Sequence, residues 1–294
     1  NKGSKLKMKR YFISFASPKM KLALDKIIKQ SVKMNYFDEI IPYTIDNLSA
    51  KFVQRYSEKL DDNVRGFGYW SWKPEIIKQT LAQMNDGDQL LYLDAGCNLN
   101  RHGKKRLAQY FDMLSQDVPL VTFINDPKDT VFNDKNVVLP DWPLKKWIKG
   151  DLVDYFNIRE QHTILDQQVF FAGILFLQKG KISENFIDQW EETIRTSWSF
   201  VDDSPSSSPN LKNFIEHRHD QAIFSVLCNL YPIHKISGCE VVYPKIKGRG
   251  GDWKKLKSFP IHARRDRREN FSTKVKGIRN DLYSFFSHIT NLRS

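Results

Sequence analysis

Apolar residues fall along this chain in two spacings. Short runs of strand length occur at Tyr11–Phe15, Glu39–Tyr43, Gln89–Leu93 and Leu120–Ile124. Near-continuous apolar runs of this kind are the mark of strands buried on both faces of a parallel sheet. Between them the apolar positions recur at helical spacing. Pro18–Met34 puts Met20, Leu22, Leu24, Ile27, Ile28 and Val32 largely on one side, and Leu48–Leu60 and Lys104–Leu114 also read as helices. Pro74 suits the first turn of a helix, where its missing N–H costs nothing. Ile76, Ile77, Thr80, Leu81 and Met84 follow it at the same spacing. Strand, helix, strand in alternation predicts an α/β fold: a mostly parallel central sheet flanked by helices.

The second half is less regular. The stretch 125–161 contains Pro127, Pro140, Pro143, Trp142 and Trp147, and reads as an irregular excursion over a site. Gln168–Gln178 is an apolar strand broken by Ala172-Gly173, and a glycine there marks close approach by a ligand or another backbone. Ile182–Trp198 is an amphipathic helix, and 201–210 (VDDSPSSSPN) is a polar loop. His217-Arg218-His219-Asp220-Gln221 opens a helix over Ala222–Leu230, and Glu240–Tyr243 reads as a late strand. No repeat and no second core is legible. The division expected is one domain over 1–270 and a basic, partly helical extension over 271–294, where Phe285, Phe286 and Ile289 form an amphipathic segment.

Composition narrows the class. The 294 residues are 40% hydrophobic and 13% aromatic, which is a folded chain and not a disordered one. The cysteines, Cys97, Cys228 and Cys239, are odd in number and show no pairing pattern, so a reducing, cytoplasmic compartment is expected. No apolar run approaches the ~20 residues of a membrane span. The opening NKGSKLKMKR does not resemble a secretory signal, and a start at Asn1 suggests a domain cut from a longer protein. The net charge of +12, concentrated toward Lys245–Arg279, points to a polyanionic partner such as a phosphorylated substrate or an anionic membrane. A nucleic-acid-binding module is the alternative on charge alone, but no recognition motif or recognition helix accompanies it.

Candidate chemistry gathers around Asp94. It ends the central apolar strand and is followed by Ala95 and Gly96. Ligands in open α/β sheets bind at the carboxyl ends of the strands. Tyr69, Trp70, Trp72 and Lys73 follow Gly66-Phe67-Gly68. Aromatic faces stack on bases and sugars, and a lysine near a helix start approaches phosphate; each aromatic taken singly reads better as a core anchor, and the cluster as a whole as a binding surface. Asp220 is a candidate general base, its competing reading being a helix cap. Arg264 and Arg265 suit phosphate oxygens, or form a solvated basic face. His217 and His219 alternate as H-x-H, but with no partner at typical spacing zinc is rejected.

Three stretches, LLYLDAGCNLN, VFFAGILFLQ and HRHDQAIFSVL, resemble GT-A glycosyltransferases. RGFGYWSWKP, DDSPS and EHRHDQ add a resemblance to bacterial capsule and O-antigen transferases, some associated with galactofuranose. The resemblance spans about Tyr11 to Arg265 and implies a nucleotide-sugar donor, UDP-linked, and a glycan or lipid-linked glycan acceptor. It places Ser14, Phe15 and Ala16 at the nucleotide base, and assigns Trp72, Lys73, Asp94, Ala95, Gly96, Ala172, Gly173, Arg264 and Arg265 to the donor. Asp202, Asp203, His219 and Gln221 fall to the acceptor, and Asp220 becomes the base of an inverting transfer. Mn²⁺ or Mg²⁺ would be held by Asp94 and His262. The sequence departs from the pattern at Gly96, where the second acid of D-x-D is missing. That leaves open a metal-independent transfer and an inactive scaffold in a synthase complex; a retaining outcome is the runner-up because the Ala172-Gly173 strand also resembles retaining families. With its basic end, the protein is expected at the inner face of the plasma membrane.

Overall fold

The computed structural model describes residues 7–125, 141–242 and 256–264. Its first half runs β1 (Arg10–Phe15), α1 (Lys21–Met34), β2 (Glu39–Tyr43), α2 (Ala50–Tyr56), the short turn α3 (Gly66–Tyr69), α4 (Trp72–Leu81), β3 (Gln89–Leu93), β4 (Asn98–Leu99), α5 (Lys104–Asp112) and β5 (Leu120–Ile124). The second half adds α6 (Gly150–Tyr155), α7 (His162–Leu165), β6 (Ile174–Gln178), α8 (Lys181–Thr196), α9 (His219–Leu230), β7 (His234–Ser237) and β8 (Ile261–His262). Six strands form one sheet in the order β2-β1-β3-β6-β5-β7. All run parallel except β6, which is antiparallel to β3 on one side and β5 on the other. The mostly parallel α/β sheet expected from the apolar runs is therefore present, with one reversed strand at its centre.

The alternation of side chains along a strand divides the core into two layers. Tyr11, Ile13 and Phe15 of β1 face a cluster with Ile76, Trp190 and Phe224, from α4, α8 and α9. Phe12, with Leu91 and Leu93 of β3, faces Leu24 and Ile27 of α1 and Tyr110 and Phe111 of α5. Burying one leucine or phenylalanine side chain stabilises the fold by about 1.5–3 kcal/mol, so the two layers fix the sheet and everything carried on its edge.

Several expectations change. The helix expected over Leu48–Leu60 is only Ala50–Tyr56. On α1, Leu22 and Val32 are exposed while Lys26 is buried, its ammonium donating to the Cys97 carbonyl at 2.8 Å. The strand expected over Gln168–Gln178 starts only at Ile174, because Ala172-Gly173 leaves the ladder. Glu240 ends a 3₁₀ turn (Gly238–Glu240), and the late strand is β7, which precedes it. Arg265, the extension over 271–294 and most of the basic stretch lie outside the described residues.

Candidate functional site

The carboxyl ends of β1 and β3 and the amino end of the reversed β6 meet at one edge of the sheet. Asp94 leaves β3 there, with its backbone N–H on the Gly173 carbonyl at 2.9 Å. Its carboxylate lies against Gly173, where an added Cβ would stand 2.5 Å from Asp94 Oδ2. The glycine that breaks the predicted strand therefore makes room for the acid that ends the neighbouring one. Tyr92, fully buried on β3, donates its hydroxyl to Asp94 Oδ1.

Lys73 enters the same place from α4. It is 3% exposed, and its ammonium donates to Asp220 Oδ2 at 2.7 Å and the Ala172 carbonyl at 3.2 Å, with Asp94 Oδ1 at 3.5 Å. Two hydrogen bonds and one longer ion pair thus hold the ammonium among three protein oxygens. Burial works against the charge on Lys73, but the carboxylates of Asp220 and Asp94 outweigh it and raise its pKa, so the side chain stays an ammonium. Burial raises Asp220 from its ordinary 3.8 to about 6, against the pull of Lys73 and with the charge of Asp94 adding to the rise. The folded chain therefore holds this proton more tightly than the unfolded one, and its contribution to stability falls as pH rises from about 4 toward about 6. In carboxyl ¹³C spectra, one aspartate is expected to titrate near pH 6. A spectrum of Asp220→Asn that still contains that titration would refute the assignment.

The loop that delivers Lys73 is strained. Gly66, Phe67, Gly68, Tyr69 and Trp70 all have positive φ, at 62°, 54°, 91°, 51° and 59°. The turn α3 is therefore left-handed, closed by Tyr69 N–H to Arg65 O at 2.7 Å and Trp70 N–H to Gly66 O at 3.3 Å. Left-handed helical backbone costs roughly 1–2 kcal/mol for each residue with a Cβ. Burial holds it: Trp72 donates its indole N–H to Gly66 O at 3.1 Å and stacks on Phe15 at 4.0 Å. Directly opposite, His219 also has positive φ, 51°, and its ring lies 5.1 Å from Tyr69 and 5.8 Å from Trp70. Backbone strain of this kind collects at functional sites.

The structure thus brings together Lys73, Asp94, Ala172, Gly173, His219 and Asp220, and sorts the other candidates. Phe15 and Trp72 are each other's packing partners and almost fully buried, so neither offers a face for a base; Ser14 is wholly buried beside them. Ala16 and Ala95 are buried behind the strand ends, while Gly96 is partly exposed in the turn after Asp94. Gln221 spends its amide on the Phe170 carbonyl at 2.7 Å and is a brace. Asp202 accepts the Ser204 N–H at 3.0 Å and sits 3.6 Å from buried Lys149, which is caged by the carbonyls of Ser199, Asp202 and Ser204. Asp202 therefore shapes its own loop, and Asp203 is the member that faces the site. Asp220 is 3% exposed behind Lys73, whereas the Asp94 side chain is 38% exposed. Of the two acids Asp94 is the one open to solvent, and Asp220, the expected general base, is closed off behind Lys73. Arg264 is exposed just beyond β8. The sequence reading missed Tyr92 and Lys149, whose roles depend on contacts that no local pattern announces.

A protein-built divalent site does not fit the described residues. Asp94 Oδ1 already meets an ammonium and a phenol, and His262 has its Nε2 on the Leu256 carbonyl at 2.8 Å. Among the described residues no group of three His, Cys, Asp or Glu side chains is placed to hold a metal ion.

No protein-family model matches the chain, and no curated protein matches it. Solved structures similar to it include a glycosyltransferase involved in glycosylation of the major capsid of PBCV-1, at 10% identity over 86% of this chain and 91% of that one, TM-score 0.44. Mouse xyloside xylosyltransferase 1 aligns at 9% identity over 79% and 86%, TM-score 0.41. The 4-diphosphocytidyl-2C-methyl-D-erythritol synthase of Anaerococcus prevotii aligns at 12% identity over 79% and 89%, TM-score 0.36. The chain is a mixed α/β sheet, mostly parallel, whose carboxyl edge holds a buried ammonium between two carboxylates.

Proposed function

We propose that the chain is a glycosyltransferase that takes a sugar from a nucleotide-sugar donor. The observation that carries this reading is Lys73, locked between Asp94 and Asp220 at the carboxyl edge of the sheet. Glycosyl transfer needs an acceptor hydroxyl deprotonated by a positioned group and negative charge stabilised on the leaving diphosphate. Asp94 is the carboxylate open to substrate and takes the proton or orients the sugar. Lys73 and Asp220 fix its position, and neither has to be reordered when substrate arrives. Exposed Arg264 supplies a guanidinium for phosphate oxygens.

The resemblance in sequence extends the proposal. It gives a uridine-linked donor, galactofuranose as the sugar, an inverting course with a carboxylate base, and a growing bacterial surface polysaccharide as the acceptor; in place of Asp220, which lies buried behind Lys73, we assign that base to Asp94. Among the described residues no helix is long and apolar enough to cross a membrane. The charge of the sequence's basic end supports meeting a lipid-linked acceptor at an anionic membrane surface.

The test is a thermal-shift series with nucleoside diphosphates and UDP-sugars, in Mn²⁺ and in EDTA, joined to an assay of UDP release. A ligand that binds only the folded state raises the melting temperature. UDP is expected to raise it in both media, because the described donor set does not build a cation site. Asp94→Ala is expected to keep its fold and lose UDP release by about 10²-fold or more, the low end of general-base effects. No shift with any nucleotide would sink the proposal. A shift confined to Mn²⁺ would return the cation to the site.

A further inference from the structure

The loop that follows α8 is fastened from two sides, because its carbonyls turn outward in two directions. Those of Phe200 and Val201 meet His217 Nε2 at 2.9 Å and His219 Nδ1 at 2.7 Å. Those of Ser199, Asp202 and Ser204 meet the Lys149 ammonium at 2.5, 3.1 and 2.9 Å. An ammonium has three donors and no acceptor, and here three carbonyls take all three. Asp202 Oδ1, 3.6 Å away, supplies the opposite charge, and the lysine side chain is 2% exposed. Without this donor the three carbonyls would lose their partner, and a buried acceptor left unpaired is costly.

The residues beside Lys149 continue the clasp. Gly150 donates its N–H to Asn210 Oδ1 at 2.8 Å, and the Asp151 carboxylate accepts the Ser207 and Ser208 N–H groups at 3.0 and 2.8 Å. Glycine is needed at 150 because an added Cβ would stand 2.4 Å from the Pro209 carbonyl oxygen. Just before Lys149, the carbonyls of Lys146 and Trp147 accept the N–H groups of Ile215 and Arg218 at 2.9 and 3.0 Å. One short segment, 146–151, therefore carries both the loop and the approach to α9. The Asp203 side chain is 53% exposed, so its place comes from the backbone on either side of it. Both flanking carbonyls, of Asp202 and Ser204, end on Lys149.

We infer that Lys149 is a positioning residue, an internal cation on which residues 199–204 close so that Asp203 and the His219 ring stand where the site needs them. The positioning follows from the contacts alone; its use in the reaction rests on the glycosyltransferase reading. It also gives a reason for a lysine at the start of α6, where a cation is otherwise unfavourable beside the helix dipole.

The experiment compares Lys149→Met, which keeps the length and removes the charge, with Lys149→Ala, whose missing fragment is n-propylammonium. Long-range ¹H–¹⁵N spectra read the His219 ring, and amide hydrogen exchange reads residues 200–208. UDP thermal shift and UDP release are measured on the same samples at pH 7.5. Both substitutions are expected to move His219 Nδ1 from its native resonance and to speed exchange at least about tenfold, as for one lost hydrogen bond to a charged group. UDP release is expected to fall with the UDP thermal shift retained. n-Propylammonium chloride is expected to return Lys149→Ala to the native spectrum, beyond any effect of sodium chloride at equal ionic strength. A native His219 spectrum and native exchange in Lys149→Met overturn the inference, since the stem and not the charge would then hold the loop. A response to n-propylammonium no larger than to sodium chloride overturns it too, as does undiminished UDP release from a variant whose loop has loosened. Should both variants fail to fold, the native protein decides: its Lys149 ammonium is expected to give an exchange-protected ¹H–¹⁵N signal, and a fast-exchanging ammonium overturns the inference. A native protein that does not respond to UDP tells against the transferase reading and leaves the positioning to the spectra.

Discussion

Lys73→Met is expected to destabilise the fold by about 3–5 kcal/mol at pH 8, the cost of removing one partner from a buried ion pair. The ammonium donates to Asp220 Oδ2 at 2.7 Å. Methionine has nearly the same length but no donor, so two carboxylates would face one another across an apolar side chain. Asp220 is the deeper of the two, 3% exposed, and would take up a proton to escape. Its pKa, already raised to about 6 with Lys73 present, would rise further. Each additional unit is worth about 1.4 kcal/mol between the protonation states. The sign follows: with the folded pKa above the unfolded one, the deficit is small at pH 5, where the carboxyl is protonated, and grows as pH rises. Urea unfolding at pH 5 and pH 8 reads this directly. A second substitution, Asp220→Asn, is expected to restore most of the loss, because it removes the unpaired charge. A Lys73→Met protein as stable as the native one at pH 8 would show that the buried triad is wrongly assigned.

This triad also marks where the sequence stops being legible. The strands β3 and β5 could be read to the residue because each is an apolar run buried in the sheet; β2 could be read from its apolar pair Ile40-Ile41 although it is an edge strand in which only Tyr43 is buried. Strand β7 could not: its four residues, His234–Ser237, contain a single apolar side chain, Ile236, and so no apolar run. Asp94 and Gly173 were legible as a strand-end acid and a strand-breaking glycine, each from its local setting. Their contact was not, because it depends on β6 running against β3. Lys73 read as a lysine at a helix start, approaching phosphate. Its inward course is set by Asp220, 147 residues away in sequence, and by a left-handed turn that no residue-type pattern specifies. The aromatic cluster divided in the same way. Trp72 anchors the loop in the core, while Tyr69 and Trp70 face His219. Tryptophan and tyrosine look alike in sequence whichever of these they do.

Gly173→Ala is expected to disable the site with far less effect on stability than Lys73→Met. The new Cβ would stand 2.5 Å from Asp94 Oδ2 and 2.9 Å from its Cγ, closer than atoms can approach. The φ of Gly173 lies outside the left-handed region, so the backbone itself accepts alanine. The conflict is with one carboxylate, and that carboxylate is part exposed and has room to turn toward solvent. A buried side chain that cannot move costs about 1–3 kcal/mol when it is overpacked; a movable Asp94 lowers that figure. What is lost is position. Asp94 would leave Lys73 and the Tyr92 hydroxyl, and its charge would no longer lift Asp220. The ¹³C titration of Asp220 should therefore fall below about 6, while UDP release drops as far as it does in Asp94→Ala. The two substitutions should not add, because each removes the same carboxylate from the same place. Additive losses would mean that Gly173 serves the reaction through a contact of its own, with the sugar and not with Asp94. An unchanged Asp220 titration would mean that the clash is relieved by a shift of β6, and a lowered unfolding free energy would then accompany it.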